Sequence, residues 1–169
     1  DAWMNRVAEI AGYAKKAGLN AIINIHHDGS TSCWLNIKAT GETQEAMCNQ
    51  FAQLWHQIAE KFKDEGDWLI FEPFNELQDG GWGWGENRRD GGAQYRLINR
   101  LNDIFVKAVR STGGNNATRW LAACGYSNNA ELTMENLVIP ADYVTHNRQM
   151  ISAHNYNPTD YTLETKYSQ

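Results

Sequence analysis

The chain has 169 residues, 42% of them hydrophobic, and a formal net charge of -5. That length supports one ordinary domain with a sizeable core, and the composition is that of a globular protein. Acidic and basic residues are mixed along the sequence, so the basic surface that a nucleic acid or an anionic membrane needs is not expected.

The chain opens inside an amphipathic pattern. Trp3, Val7, Ile10, Ala11 and Ala14 repeat at helical spacing, Asp1 is placed to cap the helix and Gly18 to end it, which predicts a helix over 1–16. This opening implies that the natural N-terminus lies outside the chain, and no signal peptide is visible. Residues 20–25 are a short β-branched run without helical period and predict a buried strand that stops at His26, His27 and Asp28. A loop over 29–41 carries Trp34. Residues 42–63 predict a long helix with Met47, Phe51, Leu54, Trp55, Ile58 and Phe62 on one face. Residues 68–74 predict the second strand, with Pro73 near its end, and it stops at Asn75 and Glu76.

A glycine-rich loop with Trp82 and Trp84 follows, then a helix over about 93–110 that Gly113 and Gly114 break. Residues 120–124 predict a third strand, 128–141 a short helical turn or loop, and 150–153 a fourth strand that runs into His154 and Tyr156. Trp3, Trp55, Trp68 and Trp120 fall on helix or strand positions and are expected in the core. Cys33, Cys48 and Cys124 have neither zinc-site nor redox-pair spacing, and Cys124 sits in an apolar run. No apolar stretch approaches the roughly 20 residues of a membrane span.

Helices and strands alternate, which implies parallel strands with right-handed crossovers. All C-terminal strand ends then lie on one edge. His26 and His27, Asn75 and Glu76, Ser127 and Asn128, and His154 and Tyr156 converge there: the apolar part of each strand is core, and its polar tip is the rim of a site. A doubly wound nucleotide-binding sheet would place a phosphate-binding glycine motif after its first strand, and "HHDGS" is not one. Polar tips on several strands fit a (β/α)8 TIM barrel better. Such a barrel takes eight strands and about 250 residues, and this chain supplies four.

At these tips the sequence resembles glycoside hydrolase family 5, the cellulase-type family of clan A. "NIHHD" resembles the histidine-bearing third strand, "FEPFNE" the fourth strand with its Asn-Glu pair, and "SAHNY" the sixth strand with its His-x-Tyr pair. Three motifs in the family's order cover essentially the whole chain, 1–169, which would run from the second helix to just past the sixth strand. The resemblance implies a partial glycosidase barrel and a retaining endo-β-1,4-glucanase that uses two carboxylates. Related β-mannanase or xyloglucanase activity, or a non-catalytic glycan-binding remnant, are the alternatives.

By this resemblance Glu76 is the general acid/base. Such an acid must hold its proton near neutral pH, which burial or a neighbouring carboxylate provides. Asn75 would hydrogen-bond the sugar 2-OH. His26 and His27 would contact substrate or a carboxylate, His154 would lie near the acid/base, and Tyr156 would bond the nucleophile. In the family that nucleophilic glutamate ends the seventh strand, outside this chain. Glu86, Glu131 and Glu135 lie in later loops, and none sits at such a tip.

Trp34, Trp82 and Trp84 lie in rim loops, where indole faces stack on sugar rings. Glu72 is expected to point into the barrel and bond a basic side chain. His26, His27, Asp28 and His154 are ligand types, but adjacent histidines rarely chelate one ion, so neither metal nor cofactor is expected. The implied partners are a β-glucan substrate and the remainder of the barrel, and the family resemblance implies secretion.

Overall fold

The structure, a computed structural model, describes residues 2–29, 32–80 and 92–164. The elements in chain order are α1 (Ala2–Lys16), β1 (Ala21–Ile23), α2 (Gly41–Phe62), β2 (Leu69–Phe71), α3 (Ala93–Arg110), a 3-10 turn (Gly114–Ala117), β3 (Leu121–Asn129), α4 (Ala130–Asn136), β4 (Gln149–His154) and α5 (Thr159–Thr162). The four strands form one parallel sheet in the order β1-β2-β3-β4. Sequence order equals spatial order, as in a stretch of barrel wall, and all four C-terminal ends share one edge.

The core lies between the sheet and α2 and α3. Leu69 and Phe71 are fully buried on the helical side of β2. Trp55 of α2 stands 5.6 Å from the Phe71 ring and edge-on to Phe105 of α3 at 4.6 Å. Its indole N–H is satisfied by the Pro73 carbonyl at 3.1 Å, so the largest core side chain leaves no orphan donor. Strand side chains alternate, so Glu72 and, one strand away, Cys124 face the opposite side. Asn102, fully buried on α3, bonds both the carbonyl (2.9 Å) and the N–H (3.1 Å) of Cys124. That amide locks α3 to β3 where no sheet neighbour is needed.

β1 and β2 are shorter than the sequence implied, and β3 is longer. Pro73 has no N–H to pair. The chain nevertheless runs on beside β1, because the Glu72 N–H bonds the Ile23 carbonyl (3.0 Å) and the Asn75 N–H bonds the Ile25 carbonyl (2.9 Å). β3 contains a bulge: Cys124 pairs with Ser152 but Asn129 pairs with His154, so five steps on β3 oppose two on β4. Glu131 and Glu135 lie on α4 rather than in a loop. Trp3 is a further correction, being 75% exposed on α1. It lies on the β1 side of the sheet, where Ile22 is also exposed, because β1 has one strand neighbour among the described residues. Ile151 is exposed on β4 at the opposite edge.

Gly125 marks the tightest approach in the fold. A β-carbon there would lie 2.1 Å from Thr133 Oγ1 and 2.7 Å from the Thr133 Cα, so α4 rests directly on the β3 backbone. Gly125→Ala is expected to destabilise a complete barrel carrying this chain by about 3 kcal/mol through overpacking. The midpoint of urea unfolding measures this, and an unchanged midpoint would contradict the close approach.

Candidate active site

The β2 chain ends with Glu76 in the left-handed region at φ 44°. Two residues at the end of β3, Ser127 (φ 56°) and Asn128 (φ 48°), share that conformation. An L-residue there costs about 1–2 kcal/mol, and such residues gather where the surroundings hold a functional geometry. Here the turn brings the Glu76 carboxyl across β3 to β4.

Glu76 Oε1 accepts from the Tyr156 hydroxyl at 2.9 Å and pairs with His154 Nδ1 at 2.6 Å. Both partners therefore hold one oxygen, and Oε2 is the oxygen left for a reacting group. His154 ends β4 and Tyr156 follows it by two residues, so strand alternation brings both to the same side. The Glu76 side chain keeps only 16% of its exposure, and His154 keeps 28%. The hydrogen bond to Glu76, then burial, then the carboxylate charge hold the Tyr156 hydroxyl above its ordinary range. It therefore remains a donor wherever a neutral-pH enzyme works. Tyr156 was expected on a nucleophile outside the chain; among the described residues its partner is Glu76.

Glu76, His154 and Tyr156 line a cavity of about 480 Å³ with Ser127, Asn129 and Thr159. It is lined mainly by strand ends, and Thr159 brings in α5, which the sequence did not signal. His26 and His27 are exposed at the tip of β1, rings 4.7 Å apart and nearly perpendicular. His26 Nδ1 lies 3.2 Å from Asn24 Oδ1. They line a second cavity of about 340 Å³, with Trp3, Asn24 and Asp28, on the other side of the sheet tip. Asn75 sits between the two, its backbone bonded to β1 and its side chain half-buried.

Trp34 is half-buried against the core, and its indole N–H bonds Asp28 at 2.8 Å. Trp82, Trp84 and Glu86 lie outside the described residues. The stem of their loop is anchored: Asp79 accepts from the Tyr126 hydroxyl at 2.6 Å and from Gln94 at 3.0 Å, with Lys38 3.7 Å away. Glu72, 6% exposed, bonds the Asn24 amide at 2.6 Å rather than a basic side chain. A neutral amide on the neighbouring strand suffices there, because β1 brings its donor to the adjacent register. Among the described residues no group of three or more His, Cys, Asp and Glu is placed to hold a metal ion.

Comparison with known proteins gives a consistent result. The family model described as cellulase, glycosyl hydrolase family 5, matches residues 1–169. Endoglucanase A of Paenibacillus barcinonensis is 35% identical over 96% of this chain and 42% of its own length. A xyloglucan-specific endo-beta-1,4-glucanase of Bacteroides ovatus is 35% identical over 96% of this chain and 31% of its own. The solved structure of a broad specificity endoglucanase from Bacteroides salanitronis superposes with a TM-score of 0.92 at 53% identity, covering 99% of this chain and 46% of that one. The chain thus spans less than half the length of these relatives, and its sheet matches part of a (β/α)8 barrel.

Proposed function

The chain belongs to the cellulase family, glycosyl hydrolase family 5, and from that premise we propose that it works as the acid/base half of a retaining endo-β-1,4-glucanase. Glu76 is the general acid/base. The observation that carries this reading is the carboxyl of Glu76, held through one oxygen by His154 and Tyr156 at a cavity wide enough for a sugar ring. In a retaining mechanism this carboxylic acid protonates the leaving oxygen as a second carboxylate, about 5 Å away, attacks the anomeric carbon. Glu76 then takes a proton from the water that hydrolyses the glycosyl ester. The second carboxylate belongs to the barrel wall beyond these residues.

Asn75, next in the chain to Glu76, contacts the 2-OH of the sugar whose bond breaks. His26 and His27 hold a flanking part of the glycan in the second cavity at the β1 tip, and Trp34, packed against the core, positions Asp28 beside them. The substrate is a β-1,4-linked glucan. Xyloglucan is the second reading, favoured by the Bacteroides ovatus relative. A polymer of this size does not cross a membrane, so the protein works outside the cell.

The test is proton NMR of the first products from lichenan, carboxymethylcellulose and xyloglucan, made by a complete barrel carrying this chain. The expected outcome is internal cleavage with the β-anomer appearing first. An α-anomer appearing first would show inversion and overturn the double displacement. The xyloglucan rate relative to unbranched glucan decides between the two substrate readings.

A further inference from the structure

We infer that Asn128 is a positioning residue for the acid/base, acting on the backbone of Glu76 rather than on its carboxyl; the inference rests on the reading of Glu76 given above. Asn128 is fully buried. Its Oδ1 accepts the Glu76 N–H at 2.9 Å. Its Nδ2 donates to Ser152 Oγ of β4 at 3.2 Å and lies 3.4 Å from Cys124 Sγ of its own strand. One amide therefore ties the tips of β2, β3 and β4 together at the residue that carries the proton.

The need for this tie follows from the register. Along the β2 chain the N–H groups of Glu72 and Asn75 point to β1, whereas that of Phe71 points to the Trp120 carbonyl at the start of β3. The Glu76 N–H also points to β3, but the ladder between β2 and β3 has one regular pair, Phe71 with Leu121, so the two strands are no longer paired backbone to backbone at their tips. The Asn128 side chain takes the place of the missing backbone acceptor, and the Ser127 N–H returns a bond to the Leu77 carbonyl at 3.0 Å. With its N–H anchored, Glu76 keeps φ at 44°, the conformation that carries its carboxyl to His154 and Tyr156. An amide suits this place because it offers an acceptor on one side and donors on the other. Aspartate keeps the acceptor, whereas leucine keeps only the approximate shape.

The test compares two substrates in a complete barrel carrying this chain. Departure of a glucan chain needs Glu76's proton, while 2,4-dinitrophenolate leaves without one. For Asn128→Leu, kcat on β-glucan is expected to fall about 10²-fold, the cost of misplacing a catalytic group by about 1 Å. kcat/KM on dinitrophenyl cellobioside is expected to fall no more than about threefold, since general-acid help contributes little there. Asn128→Asp, which retains the acceptor, is expected to recover most of the glucan rate. Should leucine unfold the tip, Asn128→Ser, too short to reach the Glu76 N–H, takes its place with the same expected split.

Equal losses on both substrates would reduce Asn128 to a structural residue and overturn the inference, as would an unchanged glucan rate. Failure of Asn128→Asp to recover the rate, with melting temperature unchanged, would overturn it too. Glu76→Gln is measured alongside. If that variant keeps its glucan rate, the acid/base reading falls and this inference with it. If it loses the rate while Asn128→Leu does not, only this inference falls.

Discussion

Glu76→Gln in a complete barrel carrying this chain is expected to lower turnover of β-glucan by about 10²–10⁴-fold, the range a positioned general acid contributes. Binding of cello-oligosaccharides should stay close to that of the parent. The amide has the size of the carboxyl, and its oxygen still accepts from Tyr156, so the local geometry survives. What is lost is chemical: the nitrogen that replaces Oε2 neither delivers a carboxylic-acid proton to the leaving oxygen nor takes one from water. Dinitrophenyl glycosides, whose leaving group needs no proton, should lose far less in the glycosylation step and then stall as the glycosyl ester. Steady-state rates on both substrate types, with calorimetry for binding, measure this. Near-parent turnover of β-glucan by Glu76→Gln would remove Glu76 from the mechanism. A glycan-binding remnant shares the unaltered binding but predicts no turnover in the parent, so the parent's rate separates the two readings.

Loss of Arg119 is expected to be the most damaging single change to the fold. Arg119 is 1% exposed, just before β3. Its Nε bonds Asn116 Oδ1 at 2.6 Å. One terminal nitrogen bonds the carbonyls of Gly66 (3.1 Å) and Leu69 (2.7 Å), and the other those of Phe62 (2.9 Å) and Glu65 (2.6 Å). The guanidinium lies 4.7 Å over the Phe71 ring. Phe62 is the last residue of α2, and its carbonyl has only the Glu65 N–H as a backbone donor, so Arg119 adds a second bond there and welds that helix end to β2 and β3. Burial draws the guanidinium down to about 10, against the pull of Asp67 and Glu65, so it stays charged at neutral pH.

Arg119→Met would remove all five hydrogen bonds of this buried side chain at once, leaving the Phe62 and Gly66 carbonyls with only the backbone N–H groups of Glu65 and Leu69, at a cost of about 3–5 kcal/mol. Arg119→Lys keeps the charge but not the planar fork and should recover only part of the loss. The urea midpoint measures both, and a shift equivalent to less than about 1 kcal/mol would contradict the latch. Arg119 lies at the N-terminal ends of the strands, opposite Glu76. Activity per folded molecule should therefore be unchanged well below the unfolding temperature.

The order of elements and the polar strand tips are legible in the residues alone. The β-branched and apolar runs, the amphipathic periods of α2 and α3, and the glycines between them are local signals, and α3 begins and ends at Ala93 and Arg110 as read. Parallel alternation then required Glu76 and His154 to meet on one edge, and the structure joins them across 78 residues of chain. Tertiary structure alone decided how they meet. Nothing near Asn128 announces that its amide holds the Glu76 N–H 52 residues away, nor does the local sequence place the Arg119 guanidinium among the carbonyls that end α2. Asn102 likewise carries no local signal of its role, and it is the clamp on β3. Trp3 fitted a core position by period, yet it stands exposed, because burial depends on what packs against a helix face and not on the face alone. Periodicity reports a residue's own element, whereas a buried amide or guanidinium is settled by whichever orphaned backbone groups the packed elements bring within reach.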